Sequence, residues 1–212
     1  MQPYYEHKGI VIYHADSRDI LPHLEGADAI ITDPVWPNAP AGIYAGADRP
    51  LALLQECAIH FPRLADRVVI QMGCNSDPRF LSAIPLALSF LRVCWLEYAL
   101  PSHLGRVLYS GDVAYVYGAW PPSRVGARVF PGVAPKAQPH KNGHPTPRAY
   151  EHARWLVGWY ARGLVIDPFM GSGMTLRAAK EHGYPAIGID VDERYCEIAA
   201  MQLSQETLEL VL

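Results

Sequence analysis

The stretch that most constrains this chain is Gly163 to Thr175, GLVIDPFMGSGMT. Leu164, Val165 and Ile166 form a short apolar run that ends in a carboxylate, Asp167; a tight Gly171-Ser172-Gly173 turn follows, and Thr175 to His182 (TLRAAKEH) reads as a helix. A buried strand that passes through a glycine turn into a helix N-terminus gathers backbone N–H groups and the positive end of the helix dipole, which is how α/β folds hold the polar end of an adenine-containing ligand. The ligand is expected over Gly171 and Gly173.

Spacing narrows the choice of ligand. A dinucleotide fingerprint needs a third glycine three residues after the second, but position 176 is Leu, and the chain has no Gly-Lys-Ser/Thr phosphate loop. After Pro185, AIGID is a second strand pattern ending in an acid, Asp190, near the offset of about 20 residues at which a carboxylate takes ribose hydroxyls. Two acids and a glycine turn without a phosphate motif suit a ribose carrying an amino-acid tail. Read together, DPFMGSGMT and GIDVDERYCEIA resemble the first two motifs of the S-adenosylmethionine-dependent DNA amino-methyltransferases, with Met174 intervening before Thr175.

The 212 residues are expected to form one domain with a sizeable core. No apolar run approaches the roughly 20 residues of a membrane span, and the N-terminus lacks a signal peptide's basic-then-apolar pattern, so a soluble, cytoplasmic or nucleoid-associated protein is expected. Cys57, Cys74, Cys94 and Cys196 are single and scattered with no metal-type pair, and three lie in apolar or strand-like sequence, so they read as reduced thiols filling core space. The net charge of −3 hides an uneven distribution: residues 1–100 sum to −4, residues 101–162 to +6 and residues 163–212 to −5. A basic middle between acidic ends is what local phosphate contact requires; a solvated loop region without a partner has the same composition.

In chain order, Gly9 to His14 reads as a strand ending at Asp16, with Ser17 capping the short helix that follows, and Asp28 to Thr32 as a buried strand running into Asp33-Pro34-Val35-Trp36. Residues 37–50 read as a Pro/Gly/Ala-rich loop, Leu51–Arg63 as a helix, Val68–Met72 as a strand, Arg79–Ser89 as a broken helix, and Val93–Ala99 and Val113–Tyr117 as strands. Ala119 to Pro147 reads as a long irregular basic segment and Arg148–Ala161 as a helix leading into the opening stretch. That makes seven strand candidates. The resemblance implies a Rossmann-like seven-stranded mixed sheet with helices on both faces, in the permuted beta order in which the catalytic motif precedes the cofactor motif.

The tetrad Asp33–Trp36 matches the family's catalytic motif, usually Asp/Asn/Ser-Pro-Pro-aromatic, with Val35 in place of the second proline. An exocyclic base amine is a poor nucleophile because its lone pair is delocalised into the ring. By resemblance, the Asp33 carboxylate and the Pro34 carbonyl accept the amino hydrogens and free that pair, while Trp36 stacks on the flipped base, at roughly 1–3 kcal/mol per base. Val35 leaves the Pro34 carbonyl in place, and Pro37 now restrains Trp36. The resemblance also implies cofactor contacts from Asp16, from Pro145 and Thr146, and from Asp167, Phe169, Gly171, Ser172, Gly173, Thr175 and Asp190. Arg124, Arg128, Lys136 and Lys141, within a recognition segment at about 119–144, are expected to contact DNA. His140 and His144 are four apart in no helical context, so no metal site is expected.

The resulting expectation is a methyltransferase acting from S-adenosylmethionine on a DNA base amine, adenine N6 ahead of cytosine N4 because position 33 is Asp. An RNA adenine methyltransferase and a non-catalytic S-adenosylmethionine-binding subunit, suggested by Val35, are the alternatives. A short recognition segment leaves room for a homodimer that reads its site jointly.

Overall fold

A computed structural model describes residues 2–38, 45–104, 106–122, 129–139 and 148–205. Its strands are β1 (Tyr5–His7), β2 (Ile10–His14), β3 (Ala27–Thr32), β4 (Ala65–Gly73), β5 (Phe90–Leu104), β6 (Val107–Gly118), β7 (Val165–Asp167) and β8 (Ala186–Asp190). The helices are α1 (Ser17–Ile20), α2 (Pro50–Ala58), α3 (Phe61–Leu64), α4 (Tyr150–Tyr160), α5 (Met174–Glu181) and α6 (Glu193–Ser204), with 3-10 turns at Leu21–His23 and Pro78–Ala83.

All eight strands join one sheet in the order β1-β2-β8-β7-β3-β4-β6-β5. The five from β2 to β4 are parallel, and β1 and β6 are antiparallel to their neighbours. Alternation along the strands splits the core. Ala29, Ile31 and Val69 pack with α4, α5 and α6 on one face, and Ile30, Val68 and Ile70 pack with α1, α2 and α3 on the other. Helices therefore cover both faces, as expected. Cys57, Cys94 and Cys196 are buried free thiols and Cys74 is exposed.

The sheet has one strand more than the sequence suggested. β1 is added by a two-residue turn at Lys8-Gly9, where both residues have positive φ (47° and 80°), a hairpin geometry that glycine adopts without strain. Several boundaries also differ. Asp16, and not Ser17, caps α1 by accepting from the Arg18 N–H; Ser17 instead donates its hydroxyl to the Pro168 carbonyl. The helix expected at Leu51–Arg63 breaks into α2 and α3, because Pro62 has no N–H to offer the Ala58 carbonyl and can sit only in a first turn. The broken helix expected at Arg79–Ser89 contracts to the 3-10 turn capped by Asp77. Strands β5 and β6 run well past the expected Val93–Ala99 and Val113–Tyr117 into a long hairpin, with a register shift between Glu97 and Ser102.

Part of the irregular basic segment is ordered against this hairpin. Ala134 N–H donates to the Trp95 carbonyl at 2.8 Å and Ala99 N–H to the Ala137 carbonyl at 2.8 Å, so residues 133–137 run as a ribbon along β5. Phe130 anchors the start of that ribbon against Trp120, Trp159 and Tyr160.

At the centre, β7 is flanked by β8 and β3. From β7 the chain crosses through α5 to β8 on one side, and from β3 it proceeds to β4 on the other. A sheet whose connections diverge in this way opens a crevice at the carboxyl ends of the two strands, the usual ligand position in open α/β sheets.

Candidate active site

The crevice holds a cavity of about 750 Å³ over the carboxyl ends of β2, β3, β7 and β8. Its walls bring together the two motifs that the sequence keeps far apart. From the β7 side come Asp167, Phe169, Gly171, Ser172 and Thr175, from the β3 side Asp33, Pro34 and Trp36, and from the β2 and β8 ends Asp16 and Asp190.

Each acid is held differently. Asp167 is buried and accepts hydrogen bonds from the Thr32 hydroxyl at 2.7 Å and the Phe169 N–H at 3.1 Å. Burial outweighs these donors and lifts its carboxyl to about 6. Asp190 accepts from the Gly171 N–H at 2.9 Å with one oxygen and from the Asp192 N–H at 2.9 Å with the other, and burial likewise raises it to about 6. Thus Asp190 braces the glycine turn that precedes α5. Asp16 is gripped by Arg18, whose Nε and Nη2 donate at 2.9 and 2.6 Å and hold its carboxyl below the usual carboxylate range. Arg18 in turn donates to Glu56 at 2.7 Å.

Gly173 does not line the cavity. It is the N-cap of α5 at φ 82°, and a Cβ there would lie 2.7 Å from the Ala199 Cβ, so glycine is needed both for the left-handed backbone and for the close approach of α5 to α6. The helix begins at Met174, one residue earlier than expected.

In the Asp33–Trp36 tetrad, both oxygens of Asp33 are engaged. Trp36 Nε1 donates to Oδ1 at 2.7 Å and Arg148 Nε to Oδ2 at 2.6 Å. The Arg148 guanidinium also lies over the Trp36 ring, 3.9 Å from its centroid. Because α4 starts at Tyr150, two residues later than expected, Arg148 precedes the helix and is one of the residues lining the cavity. Behind it, Asp112 on β6 is buried, accepts from the Tyr98 hydroxyl at 2.5 Å, and has its carboxyl raised by that burial although Arg148 pulls the other way. At the cavity wall Asn75 donates to the Tyr109 hydroxyl at 2.6 Å.

Sequence reasoning missed Arg148, Asp112, Asn75 and Tyr109. Arg148 heads a helix pattern that also carries Glu151, His152 and Arg154, so no local signal singled it out. Of the expected nucleic-acid contacts, Lys136 is exposed on the ribbon beside β5, away from the cavity lining. Arg124, Arg128, Lys141, Pro145 and Thr146 lie outside the described residues, as do His140 and His144. Among the described residues, no group of three or more His, Cys, Asp or Glu side chains is placed to hold a metal ion.

Residues 31–201 match the family described as DNA methylase, of the N6/N4 methyltransferase type, and the chain belongs to that family. It is 40% identical over 48 residues to the type II methyltransferase M.ScaI of Streptomyces caespitosus, a match covering 23% of this chain and 16% of that relative. The matched part is thus a small fraction of the relative's length. Among solved structures, the M1.HpyAVI complex with S-adenosylmethionine superposes with a TM-score of 0.69 at 23% identity, over 92% of this chain and 98% of that one. The cytosine-N4-specific PvuII DNA methyltransferase gives 0.74 at 16% identity, over 98% and 91%. At these identities the likeness establishes the shared α/β fold.

Proposed function

We propose that this chain transfers a methyl group from S-adenosylmethionine to the exocyclic amino group of a DNA base, adenine N6. One relationship supports this above the others: the Thr32–Asp167 hydrogen bond ties the strand that ends at Asp33 to the strand that opens the glycine turn. A small molecule over the turn and a base at Asp33–Trp36 would then share one cavity.

The donor set fits this cofactor. The cavity lies within the roughly 300–1,000 Å³ of small-molecule sites, and its acids suit hydroxyl and amine donors. Asp190 would take the ribose hydroxyls, Asp16 the adenine end, and Phe169 the flat face of the ring, with Gly171, Ser172 and Thr175 shaping the backbone approach near Asp167 and Gly173 acting indirectly, as the cap of α5. Pro145 and Thr146 are assigned to the methionine end by family resemblance. When bound, S-adenosylmethionine supplies an electrophilic methyl group on a sulfonium. The chain's own part is to accept the amine hydrogens on Asp33 and the Pro34 carbonyl, stack the base on Trp36, and hold the nitrogen in line, so that positioning supplies much of the rate.

Asp at position 33, where serine is commoner in the family's cytosine enzymes, supports adenine. The whole chain is read as one methyltransferase domain, with Arg124, Arg128, Lys136 and Lys141 contacting DNA phosphates or bases. Among the described residues no helix is long and apolar enough to cross a membrane.

Methyl-labelled S-adenosylmethionine, offered with unmethylated DNA, with RNA and with no acceptor, tests this function. Labelled N6-methyldeoxyadenosine in the DNA digest is the expected product. Labelled N4-methyldeoxycytidine would move the target base, label confined to RNA would move the substrate class, and no label anywhere would overturn catalysis.

A further inference from the structure

We propose that Arg148 is an internal mimic of the target base, a guanidinium that covers the base site and is displaced onto Asp112 when a base enters. The proposal rests on the assignment of Asp33 and Trp36 to the base. Those two residues are the ones Arg148 engages: its Nε donates to Asp33 Oδ2 at 2.6 Å, and its planar head stacks 3.9 Å above the Trp36 ring. An aminopurine in the same place would do the same two things with the same chemistry, donating N–H to the carboxylate and laying a flat, delocalised face on the indole.

The two occupancies exclude each other. Arg148 donates to Asp33 Oδ2 while its head lies over the Trp36 ring, so a base stacked on that ring and donating to that carboxylate must take the space the guanidinium fills. Trp36 cannot retreat to make room beneath the guanidinium. It packs against Gly73 so closely that a Cβ there would stand 2.5 Å from its Cζ3. Arg148 is therefore the part that moves.

Asp112 offers the guanidinium a second place. It is a buried carboxylate on β6 that accepts from the Tyr98 hydroxyl and lies near enough to Arg148 to be favoured in its charged form by the guanidinium. A shift of Arg148 from Asp33 toward Asp112 would exchange one carboxylate partner for another, so that the cation is never left in a half-buried site without a counter-charge. Such a cover raises the threshold for every base, and only one delivered by good contacts elsewhere on the DNA would cross it.

The test is a separation of kcat from KM on unmethylated plasmid DNA. Arg148→Lys keeps a cation beside Asp33 but loses the flat stacking head. It is expected to lower KM for DNA by roughly tenfold while kcat stays within about twofold, and to methylate additional sites in the sequenced plasmid. Asp112→Asn is expected to raise KM in the wild-type background and to have a much smaller effect beside Arg148→Ala, the non-additivity that a shared movement produces. If Arg148→Lys leaves KM unchanged and lowers kcat, Arg148 is a fixed support of Asp33 and the proposal fails. Additive effects of the Asp112 and Arg148 substitutions would overturn the displacement route as well. Absence of methyl transfer by the wild-type protein is a separate outcome, which overturns the proposed function and this inference with it.

Discussion

The Thr32 hydroxyl donates to Asp167 Oδ1 at 2.7 Å across 135 residues of sequence, and both groups are buried. Thr32 ends β3 and immediately precedes Asp33; Asp167 ends β7 and opens the glycine turn. Together with the parallel β3–β7 pairing, this bond sets the Asp33–Trp36 tetrad relative to the turn. Thr32→Val preserves shape and removes the donor, leaving a buried carboxyl short of a partner, so it is expected to cost about 1–3 kcal/mol in urea denaturation. The same substitution should weaken S-adenosylmethionine binding in calorimetry, whereas a change at the far edge of the sheet should not.

The two raised carboxyls predict opposite pH dependences for folding and for binding. Asp167 and Asp190 sit at about 6 in the fold against 3.8 for an unperturbed aspartate. Between those values the folded chain holds protons that the unfolded chain has released, so their stabilising contribution is full below about 4 and is lost as pH rises through 6. For the fully buried Asp167 the loss is on the order of 3 kcal/mol. Asp167→Asn should flatten that slope in denaturation curves collected from pH 4 to 7. Cofactor hydroxyls, by contrast, favour the charged Asp190, so affinity for S-adenosylmethionine should rise through pH 6. Calorimetry in buffers of different ionisation enthalpy should register proton release near that pH.

If Arg124, Arg128, Lys136 and Lys141 hold DNA, replacing all four by Ala should flatten the salt dependence of binding. The slope of log affinity against log salt should fall by roughly 0.9 per lost phosphate contact. Anisotropy titrations across a salt series check this, and S-adenosylmethionine affinity should not change. A quadruple variant with the wild-type slope would place the DNA track elsewhere.

The legible parts of this molecule are those encoded locally. The run Leu164–Ile166, the glycines at 171 and 173 and the terminal acids of β7 and β8 are each marked by their immediate neighbours, because each strand, turn and helix start needs particular residues beside it. The central strands followed for the same reason. β1 was not legible, since three residues carry no usable alternation and only Lys8-Gly9 hints at the hairpin. The ribbon along β5 is held by backbone hydrogen bonds, which composition does not encode. Between the adjacent cap formers Asp16 and Ser17 the tertiary structure decides, by giving the Ser17 hydroxyl to the distant Pro168 carbonyl. Arg148 was hidden most completely, because the partner that gives it meaning, Asp33, lies 115 residues away.

In the proposed reaction Asp33 accepts the target amine, while the cofactor is held by other groups in the same cavity. Turnover of Asp33→Ala on unmethylated DNA, measured alongside its calorimetric affinity for S-adenosylmethionine, tests it directly. The expected result is a loss of kcat of roughly 10²-fold or more with cofactor affinity within about threefold of wild type. Turnover close to the wild-type rate, with the cofactor bound as before, would show that Asp33 is not the amine acceptor.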